Sequence, residues 1–434
     1  MLRTNDIKNS NYVGKEVTIK GWVYRLRKQK ENAFVIIRDD RGGVIQSVFP
    51  TKQAIPLTIE SSIEISGILK RDDRAPEGGY EIKGTNLKIF NIADADFPIG
   101  EYQSTELLLD NRHLALRNRR MVEMAKIRSS VLKFARNWFI ENDWMEVTPP
   151  TIVKGAVEGG STLFNISYFD EDAYLSQSAQ LYLEAMIFCL GPVWSLTTSF
   201  RAEKSRTIRH LAEFSHLEGE APWIELEDIL KVQEQLVSYV IRNVVRERSD
   251  SFVLLKRDTA DLEKVEAPFD RMSYDKAIEI LQSKQFEVTD HNGSNRIIKW
   301  GDDLSIESER ELTKEATKPM FIVGYPIHLK PFYVKEDPQN KGMGLSSDLL
   351  APHGFGEITS GGNREDDMVS IENRMEKEGL NVQHYKWYLD LRKYGSVPHG
   401  GFGLGIERFI RWITNVEDIK DTVLFPRTLS RVTP

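Results

Sequence analysis

The alternation of apolar and polar positions changes character twice along the chain. Between residues 14 and 92 it comes in short runs, at 17–24, 33–39, 44–49, 62–69, and 79–82 continued by 87–92. Period-two alternation of this kind predicts strands, and the pairs Gly42-Gly43 and Gly78-Gly79 predict turns between them. Five strands in such a short stretch predict a small closed barrel, with the OB-fold as leading candidate. Residues 93–118 form a polar connector containing Phe97-Pro98. From 119 to 143 the period lengthens. Met121, Met124, Ile127, Val131, Phe134, Ala135, Trp138 and Phe139 share one face, which predicts a long helix. It runs into an extended stretch ended by Pro149-Pro150.

Beyond this point helices and strands mix. Residues 174–188 read as a strand end leading into a mostly apolar helix with one acid, Glu184. Residues 193–200 and 211–214 read as antiparallel strands joined by a polar, basic loop. An amphipathic helix is predicted over 224–248. Residues 249–318 are polar and carry the weakest pattern. The last third returns to strands at 321–326 and around 349–365, and ends in a glycine-rich strand turning into a helix over 398–412. The reading is therefore an α+β chain with three parts: a barrel over 1–98, a linker or hinge over 99–118, and a larger domain over 119–434. Within the larger domain, 249–318 reads as a partly variable insertion.

Composition narrows the classes. A chain of 434 residues is too long for one ordinary core. With 40% hydrophobic and 28% charged residues it has a soluble globular composition. No apolar run approaches the length of a membrane span, and the first residues lack the apolar core of a signal peptide. The single cysteine, Cys189, excludes an intramolecular disulfide and a cysteine-built zinc site, and it reads as a packed core thiol. The cytoplasm is the natural compartment for such a chain. The net charge of −7 argues against a globally basic nucleic-acid binder. It is unevenly spread, however: residues 1–98 are mildly basic and the rest acidic, which suits local contact of the barrel with a polyanion.

Candidate chemistry lies in four places. The basic loop between the paired strands carries Arg201, Glu203, Arg209 and His210, with Leu211 and Phe214 on the return. Arginine suits phosphate because its planar fork donates two parallel hydrogen bonds, and a phenylalanine offers a face for a base to stack on. The same segment also reads as a solvated basic turn. Asp348 and Glu357, nine positions apart around a turn, can share a divalent metal with phosphate oxygens. The run from Gly403 to Arg408 contains a Gly-x-Gly but lacks the third glycine and the βαβ setting of a dinucleotide fingerprint. Lys154 to Thr162 is glycine-rich without the Gly-Lys-Ser/Thr of a phosphate-binding loop. In the barrel, Phe34 and Gln46 lie on successive strands, either as a stacking and reading pair for a base or as a core ring and a surface amide.

Taken together and in order, three segments resemble the three signature motifs of class II aminoacyl-tRNA synthetases. They are the helix and strand ending in proline, Phe200-Arg-x-Glu203 with Arg209-His210 and Phe214, and Gly401-Phe-Gly-Leu-Gly-Ile-Glu-Arg408. With the N-terminal barrel, the chain resembles the aspartate, asparagine and lysine subgroup over essentially its whole length. The resemblance implies an antiparallel-sheet catalytic domain flanked by helices, a homodimer with Pro150 at its interface, ATP as substrate and Mg²⁺ as cofactor.

It also implies roles for single residues. Arg201 would meet the α-phosphate and the amino-acid carboxylate. Glu203, Arg209, His210 and Leu211 would hold adenine and the outer phosphates. Phe214 and Arg408 would sandwich the base, with Gly405 beside them. Asp348 and Glu357 would bind Mg²⁺, with Ser360 adjacent. Phe34, Gln46 and Glu81 would read the anticodon.

For the amino acid, Leu183 stands where aspartate enzymes carry a lysine, and Glu184 follows. A carboxylate repels aspartate and accepts from an amide, which favours asparagine. Arg364 would hold the side-chain carbonyl, Glu158 the α-ammonium, with Gln180 in the same segment. Arg201-Ala-Glu-Lys-Ser-Arg206-Thr, Tyr388-Leu-Asp-Leu-Arg-Lys-Tyr-Gly-Ser-Val397 and Phe425-Pro-Arg-Thr428 are similar to archaeal-type asparagine enzymes. Ser215, Asn363 and Lys330-Pro331 depart from the pattern. The implied activity is asparagine activation and transfer to tRNA(Asn). An aspartate enzyme, including one that charges both tRNAs, and a tRNA-free asparagine synthetase remain as alternatives.

Overall fold

Five strands close the N-terminal barrel: β1 (Glu16–Lys28), β2 (Asn32–Arg38), β3 (Val44–Pro50), β4 (Ser62–Arg71) and β5 (Tyr80–Asn91), in the order β1-β2-β3-β5-β4. A computed structural model describes residues 2–76, 78–100, 103–157, 162–204, 207–289 and 294–434 of the chain. Alternate residues fill the barrel, among them Val17, Ile19, Val35, Ile37, Phe49, Ile63, Ile65 and Ile82, all buried. Their period of two is the pattern legible in the sequence. Gly84 lies against the ring of Phe49, where a Cβ would fall 2.2 Å from a ring carbon.

The connector is not a free hinge. Residues up to Glu123 belong to the barrel's compact unit, with short helices at Thr105–Asp110 and Arg112–Ala115. Arg117 donates to Glu60 at 2.9 Å, and Glu60 also pairs with buried Arg38. Polar composition suggested a linker over 99–118. Ion pairs and a buried arginine hold this polar segment in place instead.

The second unit, Met124 to Thr433, is built on an eight-stranded sheet. Its strands come from the whole length of the unit. In chain order the strands of the unit are β6 (Met145–Glu146), β7 (Ile152–Val153), β8 (Phe164–Tyr168), β9 (Glu171–Leu175), β10 (Val193–Phe200), β11 (Glu213–Pro222), β12 (Asp270–Ser273), β13 (Glu287–Thr289), β14 (Asn295–Ile297), β15 (Met320–Val323), β16 (Ser346–Ala351), β17 (Gly356–Asn363) and β18 (His399–Gly405). The large sheet runs β12-β15-β16-β17-β18-β11-β10-β6; β7, β8 and β9 form a small sheet, and β13 pairs with β14. The six central strands are antiparallel, as the resemblance implies, while β12 and β6 join the edges in parallel.

The helices Arg119–Glu141, Leu226–Glu247 and Ile406–Thr414 cover this sheet through one apolar cluster. Ile127, Val131 and Phe139 meet Val237, Ile241, Phe402, Leu404 and Phe409 there, and Phe139 stacks on Trp194 at 4.5 Å. Full burial of such side chains contributes about 1.5–3 kcal/mol each.

Residues 249–318, read as a partly variable insertion, contribute to the sheet and its packing: β12 pairs with β15, and Tyr274, Ile278 and Leu281 pack on Ile322 and Leu350. Their apolar residues are spread over short elements, so no long period appears. Cys189 is exposed rather than packed. It lies at the end of the helix Gln180–Leu190, past the buried positions Leu183 and Ile187.

Candidate active site

The strands β10 and β11 pair from Val193 with Glu220 to Phe200 with Glu213, and the basic loop leaves at their open end. Arg201 follows directly, and its guanidinium lies 5.4 Å from the centre of the Phe214 ring. The returning strand begins at Glu213 rather than at Leu211: the backbone N–H of Arg201 still donates to Ala212, but that of Ala212 donates to Arg427 instead of back across the hairpin. Leu211 is buried and joins the cavity wall.

A cavity of about 380 Å³ opens at this end of the sheet. It gathers Arg201, Glu203, Arg209, His210, Leu211 and Phe214 with Asp348, Glu357, Ser360, Gly405 and Arg408, and also Gln180 and Arg364. These residues come from segments more than 200 positions apart. Arg408 pairs with Glu357 at 3.0 Å, Lys330 donates to Asp348 at 2.8 Å, and His210 lies 3.3 Å from Glu203. Burial raises the Glu357 carboxyl, but Arg408, Arg209, Arg201 and Lys330 outweigh it and hold the group below its usual range. Burial, together with nearby arginines, holds His210 below the ordinary histidine value against the pull of Glu203. Glu357 is therefore held ionised and His210 neutral, beside the guanidinium groups of Arg201, Arg209 and Arg408.

The cavity wall next to Gln180 differs from the sequence reading. Leu183 and Glu184 do not line it. Both are fully buried. Glu184 accepts from Arg392 at 2.5 Å, Tyr388 at 2.7 Å and Gln180 at 3.0 Å, with His399 at 3.1 Å. Burial alone would raise this carboxyl. Arg392 and His399 reverse that and hold it well below the usual carboxylate range. Glu184 thus braces the wall from behind instead of facing the cavity, because a helix residue four positions after Gln180 falls one turn further from the opening.

Glu218 and Glu220 on β11 are carboxylates that do line the cavity. Glu218 accepts from the backbone N–H of Ala179 at 2.9 Å and from the hydroxyl of Ser178. Glu220 accepts from Arg364, whose Nε lies 3.2 Å from each oxygen. Burial pushes the Glu220 carboxyl up to about 7 against the pull of Arg364. Phe214, His216, Glu218 and Glu220 stand at alternate positions of one strand and all line the cavity. A strand reading carried past residue 214 would have found them. Lys330, Tyr325, Tyr333, Asp303 and Glu309 were also missed, the last two because they lie in the weakly patterned stretch.

Of the remaining expected residues, Glu158 lies outside the described residues. Pro150 is exposed. Phe34, Gln46 and Glu81 line a second cavity, of about 800 Å³, on the barrel unit. There Gln46 donates to Glu81 at 2.6 Å across the paired strands β3 and β5, and Arg25, Arg27 and Arg38 supply positive charge. A half-buried ring among arginines is what a single-stranded nucleic acid requires.

The family described as tRNA synthetases class II (D, K and N) matches residues 104–429, and the OB-fold nucleic acid binding domain matches 17–90. The asparagine–tRNA ligase of Thermococcus gammatolerans is 48% identical over 428 residues, 97% of this chain and 96% of that protein. That of Thermoplasma acidophilum is 41% identical over the full length of both. Among solved structures, asparaginyl-tRNA synthetase from Pyrococcus horikoshii complexed with asparaginyl-adenylate superposes with a TM-score of 0.93 at 46% identity, covering 100% of this chain and 99% of that one. Aspartyl tRNA synthetase from Entamoeba histolytica, at 22% identity and a TM-score of 0.83, shares the fold.

Proposed function

Because the chain belongs to the class II tRNA synthetases of the D, K and N group, we propose that it activates L-asparagine with ATP and transfers it to the 3′ end of tRNA(Asn). The observation that carries the choice of amino acid is the buried pair of Arg364 and Glu220 at the side-chain end of the cavity. A guanidinium donates to the side-chain carbonyl and a carboxylate accepts from the amide NH₂. Aspartate offers no amide donor and places a second negative charge beside Glu220, so it is disfavoured. The role expected for Glu184 passes to Glu220.

In the first step the asparagine carboxylate oxygen attacks the α-phosphorus of ATP. A new O–P bond forms, the bond to the β-phosphate oxygen breaks, and pyrophosphate leaves. No protein nucleophile is needed, so the work of the site is positioning and charge stabilisation. Arg201 meets the α-phosphate and the amino-acid carboxylate, Phe214 and Arg408 take the two faces of adenine, and His210 with Glu203 holds the loop closed over it. In the second step a tRNA ribose hydroxyl attacks the acyl carbon, the ester forms and AMP leaves. Asp348 and Glu357, with Ser360 adjacent, fit a magnesium ion: both carboxylates line the cavity, and Asp348 Oδ1 is buried with no hydrogen-bond partner among the described residues. When bound, Mg²⁺ would neutralise charge on the phosphate oxygens.

Phe34 stacks on an anticodon base while Gln46 and Glu81 read base edges. A homodimer forms at the end of the helix Arg119–Glu141, where Pro150 is exposed near the exposed apolar side chains Ile140, Met145 and Ile152. No helix among the described residues is long and apolar enough to cross a membrane, and the cytoplasm, where tRNA and ATP are held, is the working compartment.

ATP–pyrophosphate exchange with asparagine and aspartate side by side tests the reading. Exchange with asparagine is expected; exchange with aspartate alone would overturn it. Formation of free asparagine from aspartate and ammonia without tRNA would favour the synthetase alternative.

A further inference from the structure

Glu309 lies on the helix Ile306–Thr313, within the stretch whose sequence pattern is weakest. Its carboxylate is buried in the nucleotide wall, and a single oxygen, Oε2, is shared by two other segments of the chain. Arg209 of the basic loop donates to it through Nη1 at 3.1 Å and Nη2 at 3.2 Å. The backbone N–H of Glu357, at the start of β17, donates to it at 3.0 Å. Arg209 Nη2 also reaches the carbonyl oxygen of Glu357 at 3.4 Å. The backbone is cleared for this junction at Gly356. Its φ is +74°, and a Cβ there would fall 2.5 Å from both Arg209 Nη1 and Glu309 Oε2.

The partners have consequences for the site. Glu357 faces Arg408 at 3.0 Å, so whatever sets the backbone at 357 sets one carboxylate of the phosphate end. Arg209 is nearly closed to solvent, with side-chain exposure of 5%. Its Nη groups point at Glu309 and Glu357, whereas His210, the next residue, pairs with Glu203. These two neighbouring basic residues are therefore divided between a brace and the cavity rim.

We propose that Glu309 is a positioning residue for the nucleotide: it clamps Arg209 to the start of β17, so that Arg209 anchors the loop instead of gripping the outer phosphates. This inference rests on the reading of the cavity as an ATP site. A buried carboxylate that loses its cationic partner is costly, so the clamp is stable only as a unit. Its effect on catalysis runs through geometry, since a small displacement of charge-stabilising groups weakens them disproportionately.

The test uses the full-length protein and ATP–pyrophosphate exchange, with thermal unfolding measured alongside. Glu309→Gln keeps the shape of the side chain and removes its charge. Arg209→Met removes the partner. Each is expected to raise the KM for ATP about five- to tenfold, the scale of one or two lost hydrogen bonds, with the KM for asparagine within about twofold of the parent. The double variant is expected to be no worse than the poorer single one, because both remove the same contact. Additive losses, with Arg209→Met much the more severe, would show that Arg209 meets ATP directly and would overturn the clamp. Equal changes in both KM values, or a lowered unfolding temperature with kinetics intact, would reduce Glu309 to a structural residue and also overturn it. If Glu309→Ala fails to fold, the isosteric variant still decides. An inactive parent protein would sink the functional reading, whereas an active parent with unselective variants would sink only this inference.

Discussion

Arg364 and Glu220 meet across an intervening strand. Arg364 follows β17 and Glu220 sits on β11, with β18 between them. The crossing is open because β18 carries Gly401, where a Cβ would fall 2.3 Å from the carboxyl carbon of Glu220. Both side chains are almost closed to solvent and joined by three donor–acceptor contacts. The pair is thus a rigid donor and acceptor set at fixed spacing. Glu220→Gln is expected to lower kcat/KM for asparagine by ten- to a hundredfold, on the order of 1.5–3 kcal/mol for a hydrogen bond to a charged group. Pyrophosphate exchange measures it. Unchanged asparagine kinetics would remove Glu220 from recognition.

Acid should blur the choice between asparagine and aspartate. Burial raises the Glu220 carboxyl to about 7, so it is increasingly neutral below that pH and ionised above it. Neutral Glu220 loses an acceptor lone pair for the amide and no longer repels aspartate. The asparagine-to-aspartate ratio of exchange rates is therefore expected to fall as pH drops through about 7. The stability sign is opposite. A carboxyl raised in the folded state contributes stability that is present at low pH and lost as pH rises through about 7. A ratio independent of pH between about 6 and 8 would contradict this assignment.

Glu184 should behave as a structural residue. It holds Arg392, Tyr388 and His399 in a region closed to water. Glu184→Gln leaves Arg392 buried without its counter-charge and is expected to destabilise the fold by about 3–5 kcal/mol. Thermal or denaturant unfolding measures the loss. The effect on asparagine KM should be smaller than that of Glu220→Gln; the reverse order would return Glu184 to substrate recognition.

The barrel site can be separated from the catalytic one. Phe34→Ala is expected to raise the KM for tRNA by roughly tenfold, given the ~1–3 kcal/mol of a base–aromatic stack, while tRNA-independent pyrophosphate exchange stays unchanged. Loss of exchange as well would mean that the ring supports folding rather than the anticodon.

Much of this was legible along the chain because it is local. The barrel strands, the helix Arg119–Glu141 and the pair β10 and β11 follow from periods of two and 3.6, which each strand or helix expresses within its own residues. Arg201, Phe214, Glu357 and Arg408 were named through motif order, and the fold brings all four to one cavity. Cys189 and the connector were misread because composition reports only what a residue prefers: Cys189 falls at the exposed end of its helix, and the connector is held by Glu60, 57 positions before Arg117.

What the sequence determined by itself was therefore the barrel, the larger α+β domain that follows it and the family resemblance. Only the tertiary structure decided which carboxylates line the cavity and where the polar stretch packs. Glu184 stands alone in an apolar helix and Glu220 follows Glu218 by two positions on a strand, and neither local pattern names the partner that each acid meets. The difference lies in their partners: Arg392 comes from 208 positions away, Arg364 from 144. Likewise Glu309 gains its role from Arg209, 100 residues earlier in the chain. A buried charge takes its function from the counter-charge that the fold brings to it, and that pairing is written in no single stretch of the chain.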